Sequence, residues 1–145
     1  MNMIKIIILI LIGLLSLSQP ANADKNMITG TWKTIDDETR KVRSLVELTI
    51  KDNKLYGTIT KLFPNEGEAD NPLCDKCSNE KKDQPILGLQ IIDGLTLKQN
   101  EWKDGQILDP NNGKTYDCKI WLENGKLQVR GYIGFFFRTQ EWIRG

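Results

Sequence analysis

The amino-acid sequence predicts an all-β fold, a small antiparallel up-and-down barrel of about eight strands. Three features point there. Beyond residue 23 the apolar residues come in short runs that alternate with polar ones, the period of a half-buried strand. The runs are separated by clusters of Asp, Asn, Gly and Pro, the residues that turns need. No stretch of the same region shows apolar spacing of helical period long enough for a helix to bury. Consecutive hairpins favour closure into a barrel, which leaves no edge exposed.

In chain order, Ile28 to Ile35 alternates and is rich in Thr and Ile, so it reads as the first strand, broken by Asp36-Asp37-Glu38. Val46, Leu48 and Ile50 alternate with Glu47, Thr49 and Lys51, and Asp52-Asn53 turns the chain. On the returning strand Leu55, Gly57, Ile59 and Lys61 face away from Tyr56, Thr58, Thr60 and Leu62. Phe63 to Gln84, with Pro64, Gly67, Asn71 and Pro72 among many charges, reads as a long loop. Such a length is uncommon in a compact domain unless the loop is functional or poorly ordered. Ile86 to Ile92 is predicted as a strand with a glycine bulge, a helical turn being the alternative. After Trp102, Lys103-Asp104-Gly105 reads as a turn, Gln106-Ile107-Leu108 as a short strand, and Asp109 to Gly113 as a turn cluster. Tyr116, Cys118, Ile120 and Leu122 share one face of the next strand, and Asn124-Gly125 is the strongest hairpin signal in the chain. Leu127, Val129, Gly131 and Ile133 line one face of its partner, and a last strand runs from Phe135 to Ile143.

The N-terminus predicts the compartment. Lys5 is followed by an apolar run from Ile6 to Leu17 and by Ala21-Asn22-Ala23, the three-part layout of a secretory signal peptide. The run is short for a spanning helix. Residues 1–23 are therefore read as the signal and 24–145 as a single exported domain, periplasmic or secreted, with no membrane span once the signal is cleaved. The chain carries 20 Lys and Arg against 19 Asp and Glu, and without Lys5 the counts are equal. That balance argues against nucleic acid or an anionic membrane as the main partner. Lys81-Lys82 and Lys41-Val42-Arg43 read as solvated surface charge.

Three segments together resemble the bacterial DUF2147 family. They are Gly30-Thr31-Trp32; Ile107-Leu108-Asp109-Pro110 leading to Gly113-Lys114-Thr115-Tyr116; and Arg130-Gly131-Tyr132-Ile133-Gly134 followed by Arg138-Thr139-Gln140-Glu141-Trp142. The resemblance covers nearly all of residues 24–145. It implies a small exported protein of uncharacterised function with a lipocalin-like β-barrel, and it implies no activity. Gly30-x-Trp32 also looks like the first-strand signature of lipocalins, in which the Trp packs under an Arg of the last strand. Arg144 or Arg138 could match that Arg, Arg144 being preferred because the chain ends there. The sequence departs from lipocalins proper in lacking a Thr-Asp-Tyr motif and a helix after the barrel.

Histidine is absent, which removes Ser-His-Asp and Cys-His nucleophile systems and the ligand most catalytic zinc sites use. No catalytic residues, cofactor or metal are expected. Cys74-Asp75-Lys76-Cys77 lacks the helix that activates a thioredoxin-like thiol, so a structural bridge is favoured. Cys74 pairs with Cys77, or Cys118 pairs with one of them and tethers the loop. Asp36-Asp37-Glu38, Asp52 and Asp109 occupy turns, where Asp caps backbone groups. Glu66, Glu68 and Asp70 show no EF-hand spacing.

The aromatic and arginine residues make the better binding site. Tyr116, Arg130, Tyr132, Phe136, Arg138, Gln140 and Trp142 could together form a barrel wall for a small amphiphilic or anionic ligand. Alternation alone does not say whether these faces point inward, and Gly57 and Gly131 on otherwise apolar faces lean toward an internal cavity. The favoured expectation is a binding protein, not an enzyme, that holds a small apolar or amphiphilic molecule. The alternatives are an envelope interaction module acting through the 63–84 loop and a thiol redox protein using Cys74 and Cys77.

Overall fold

A computed structural model describes residues 27–145; the signal-peptide reading falls on residues outside that range. Eight antiparallel strands form a closed barrel in simple sequence order. They are β1 (Gly30–Ile35), β2 (Val42–Lys51), β3 (Lys54–Leu62), β4 (Gln90–Lys98), β5 (Glu101–Asp109), β6 (Lys114–Glu123), β7 (Lys126–Ile133) and β8 (Phe136–Arg144). Trp32 of β1 pairs with Arg144 of β8, which closes the sheet on itself. Inward positions alternate along each strand, and Trp32, Val46, Leu48, Leu55, Ile92, Leu95, Ile120 and Leu127 are fully buried between the walls.

Antiparallel order sorts the connections onto two ends. The two-residue turns after β2, β4 and β6 lie at one end, beside the start of β1 and the end of β8. There Trp32 fills the barrel floor and donates from Nε1 to the Ile28 carbonyl at 2.9 Å. The Arg144 guanidinium lies 3.9 Å from the Trp32 ring centroid. It also donates to the carbonyls of Thr29, at 2.7 Å, and Met27. Arg144 therefore takes the place under which the Trp packs, while Arg138 belongs to the opposite end. A lysine cannot stack flat on the indole and serve both carbonyls. Arg144→Lys is expected to lose about 1 kcal/mol and to lower the thermal midpoint by about 4 °C, read by circular dichroism. An unchanged midpoint would show that this cap contributes nothing.

The other end is open and is ringed by residues 36–41, 63–89, 110–113 and 134–135. Three expectations change in the structure. Pro85 to Leu89 is irregular, and β4 begins only at Gln90, because this stretch folds back to bond Ile59 through Gly88 and Leu89. Lys103-Asp104-Gly105 lies inside β5; the turn is Gln99-Asn100, both left-handed at φ 51° and 64°, the geometry of a primed hairpin turn. Gly105 sits there because a Cβ would overlap the Asp93 carbonyl of β4. Finally, Leu45 pairs with Lys61 but Val46 with Ile59. The extra residue at Thr60 turns Leu62 onto the inner face that simple alternation denies it.

The long loop is ordered by its own bonds. Leu73 bridges Pro85, the Cys74 amide donates to the Gln84 carbonyl at 2.7 Å, and the Asp83 amide donates back to the Cys74 carbonyl at 2.9 Å. Cys74 and Cys77 form a disulfide across 5.3 Å of Cα separation, so Cys118 does not tether the loop. Both bridged cysteines are buried, and Gly113 of the β5–β6 connection lies so close to Lys76 that a Cβ would overlap its carbonyl.

Candidate functional site

At the open end the inner walls diverge around a cavity of about 540 Å³. Its floor is apolar, made by Ile59 of β3, Ile91 of β4, Val129 of β7 and Trp142 of β8. Higher on the wall stand Leu62, Ile107, Tyr116, Gly131 and Gln140. The long loop contributes Pro64, Glu68, Ala69 and Pro72 to one side of the mouth. Gly131 leaves room: a Cβ there would stand 3.7 Å from Tyr116 Cβ and 3.9 Å from Ile107 Cγ2. Gly57 is different. Its missing side chain is replaced by Leu48 and Ile92, within 2.9–3.0 Å of where a Cβ would be, so that part of the interior is filled.

The rim carries two ion pairs. Arg43 donates from Nη2 to Glu68 at 2.8 Å and from Nη1 to the Phe63 carbonyl at 3.2 Å. The Asn65 amide and Arg43 hold the Glu68 carboxyl below its ordinary value. Arg138 pairs with Asp37, and that bond pushes the guanidinium pKa further up. Trp142 Nε1 donates to Gln140 Oε1 at 3.3 Å, and Asn112 Nδ2 donates to the Tyr116 hydroxyl at 2.9 Å. Asp36 caps the β1–β2 connection through the amides of Glu38 and Thr39, and Asp109 accepts the Asn111 amide. Both do the turn work their positions imply.

Of the seven residues expected to form a binding wall, Tyr116, Arg138, Gln140 and Trp142 line the cavity. Arg130 and Tyr132 do not, because Val129 and Gly131 occupy the inward positions of β7 and alternation sends their neighbours outside. Arg130 lies over the outer rings of Trp121 and Phe137, at 4.9 and 4.2 Å, and Tyr132 sits 6.2 Å from Phe137. Phe136 shares the inward register of Arg138 but stands beyond the rim, 79% exposed. Arg43, Asp37, Ile59 and Leu62 were not singled out by the sequence. Arg43 reads as surface charge until the loop folds against it, and Leu62 needs the bulge.

Among the described residues no group of three His, Cys, Asp or Glu is placed to hold a metal ion. Cys118 is a buried free thiol on β6 whose pKa burial pushes up to about 12. A thiol-specific disulfide reagent at pH 8 is expected to leave it untouched until guanidinium unfolds the barrel. Rapid labelling of the native protein would mean that β6 opens locally.

Comparison with known proteins agrees with the barrel fold. Residues 30–144 match a family described as "Uncharacterized protein conserved in bacteria (DUF2147)". A solved structure of similar fold is described as "Protein HP1028 from the human pathogen Helicobacter pylori belongs to the lipocalin family". The TM-score is 0.67 at 19% identity, over 81% of this chain and 82% of that one. At that identity the likeness is one of fold. No curated protein matches the sequence.

Proposed function

The chain belongs to the DUF2147 family of proteins conserved in bacteria, and from that premise we propose that it is an exported protein holding one small amphiphile in the open-end cavity. The observation that carries this reading is the cavity itself. Its volume of about 540 Å³ falls among those that enclose small organic ligands. The apolar floor of Trp142, Val129 and Ile59 suits a hydrocarbon or ring system. Arg138, Gln140 and Tyr116 above it suit a polar head, and an anionic one could compete with Asp37 for Arg138. Export is supported by the N-terminal layout of residues 1–23 and by the Cys74–Cys77 bridge, since disulfides persist in oxidising compartments.

The two other readings have less support. The 63–84 loop turns Pro64, Glu68 and Pro72 toward the cavity, which ties it to the same mouth. Thiol exchange needs a path to a sulfur atom, and Cys74 and Cys77 are 0% and 4% exposed. The reading assigns no catalytic step. Native mass spectrometry of the protein purified from its own envelope, without reductant, tests it. An added small mass that disappears on denaturation supports it. The bare chain mass in fresh material, together with no uptake of amphiphilic probes, overturns it.

A further inference from the structure

The β7–β8 hairpin ends at the open mouth in a run of exposed apolar residues. Ile133, Phe135, Phe136 and Phe137 are 56%, 103%, 79% and 58% exposed, Phe137 being partly covered by Arg130 and Tyr132. Water-facing aromatic clusters of this kind mark a surface that meets something apolar. The tip is continuous with the cavity: Ile133 lines it, and Gly131 and Val129 follow on the same inner face of β7. Across the mouth, Leu73 and Leu87 on the long loop are exposed as well, at 52% and 42%.

Between Lys126 and Glu141 the hairpin has no acidic residue; its charged residues are Arg130 and Arg138. At the rim Arg138 is paired with Asp37, which leaves Arg130 as the hairpin's cation outside any ion pair among the described residues. Arg130 is held just behind the tip by its stacking on Phe137 and Trp121 and by Nε donating to Thr139 Oγ1 at 2.8 Å. With Phe135 and Phe136 in acyl chains, the guanidinium would stand at the depth of lipid phosphates, where a tyrosine such as Tyr132 is favoured.

We propose that the open end of the barrel docks on a phospholipid bilayer, with Phe135 and Phe136 inserted and Arg130 at the headgroup phosphates. The balanced charge of the chain supplies no long-range attraction, so aromatic insertion holds the contact. This docking stands whether or not the cavity takes an amphiphile. If it does, the cavity opens toward the membrane that supplies one.

Sedimentation with sucrose-loaded vesicles of phosphatidylethanolamine and phosphatidylglycerol tests the proposal. Residues 24–145 are expected to sediment with the vesicles. The double variant Phe135→Ser, Phe136→Ser is expected to partition at least about tenfold more weakly, given what burial of one such ring is worth. Raising the salt is expected to matter less than the double substitution. Both side chains are exposed, so an unchanged far-ultraviolet spectrum confirms that the variant folds. Equal partition of the two proteins, or wild type remaining in the supernatant, overturns the proposal. So does a wild-type dimer that becomes monomeric in the variant without vesicle binding, which assigns the tip to a second copy of the chain.

Discussion

Gly131→Phe is expected to abolish uptake of an amphiphilic probe while the barrel stays folded. Gly131 faces the cavity, and the nearest side-chain atoms would lie at ordinary contact distance from a Cβ, 3.7 Å for Tyr116 and 3.9 Å for Ile107. A phenyl ring placed there points into open space above Val129 and Trp142, where the ligand is proposed to lie. A fluorescent naphthalene sulfonate, apolar with one anionic group, is a suitable probe. Its affinity should fall at least about a hundredfold, close to 3 kcal/mol, whereas overpacking costs the fold about 1–3 kcal/mol. Lys119→Ala on the outer face of β6 is the control and should bind as wild type. A Gly131→Phe protein that is folded and binds the probe undiminished would remove the cavity from the function.

Trp32→Ala is expected to be the most destabilising single change in the barrel, by about 3–5 kcal/mol. Trp32 is fully buried, so truncation opens a void at the closed end that the paired strands cannot fill. The Ile28 carbonyl loses the indole donor at 2.9 Å, and the Arg144 guanidinium loses the ring it lies 3.9 Å above. Domains of this size have about 5–15 kcal/mol of stability in total, so the variant should approach unfolding near 37 °C. Urea denaturation should show the midpoint falling with the slope unchanged. A loss below about 1 kcal/mol would mean that the closed end contributes little, and that the stabilising core lies among Leu48, Leu55, Ile92 and Ile120.

The two ends of the barrel differ in how much the sequence reveals. At the closed end Asn124-Gly125 names its turn type outright, and the contact of Trp32 with Arg144, far apart in the chain, is legible through the Gly30-x-Trp32 likeness to lipocalins. The open end is assembled from four connections far apart in the chain. Arg43 and Glu68 meet only because the long loop folds over the end of β2. The inward turn of Leu62 depends on one extra residue at Thr60, which has no signature in composition. Lys103-Asp104-Gly105 misleads for a related reason: Gly105 is required by the close approach of β4, a demand made by a neighbouring strand.

By itself, the order of short alternating runs and turn residues pointed to an antiparallel barrel of about eight strands, while the family and the closing Trp–Arg contact, with Arg144 preferred to Arg138, came from the resemblance of a few motif segments. Period-two alternation is a property of neighbouring residues, and consecutive hairpins leave few topologies to choose from. Which face of each strand points inward was left to tertiary structure. Alternation divides β7 into Arg130 with Tyr132 and Val129 with Gly131, yet both sets contain large or functional groups, and only closure of the barrel sends the first pair outside. The cavity follows from the same choice. Its walls come from all eight strands and from the long loop at once, and no stretch of sequence holds the information that Gly131 faces an empty space while Gly57 faces a filled one.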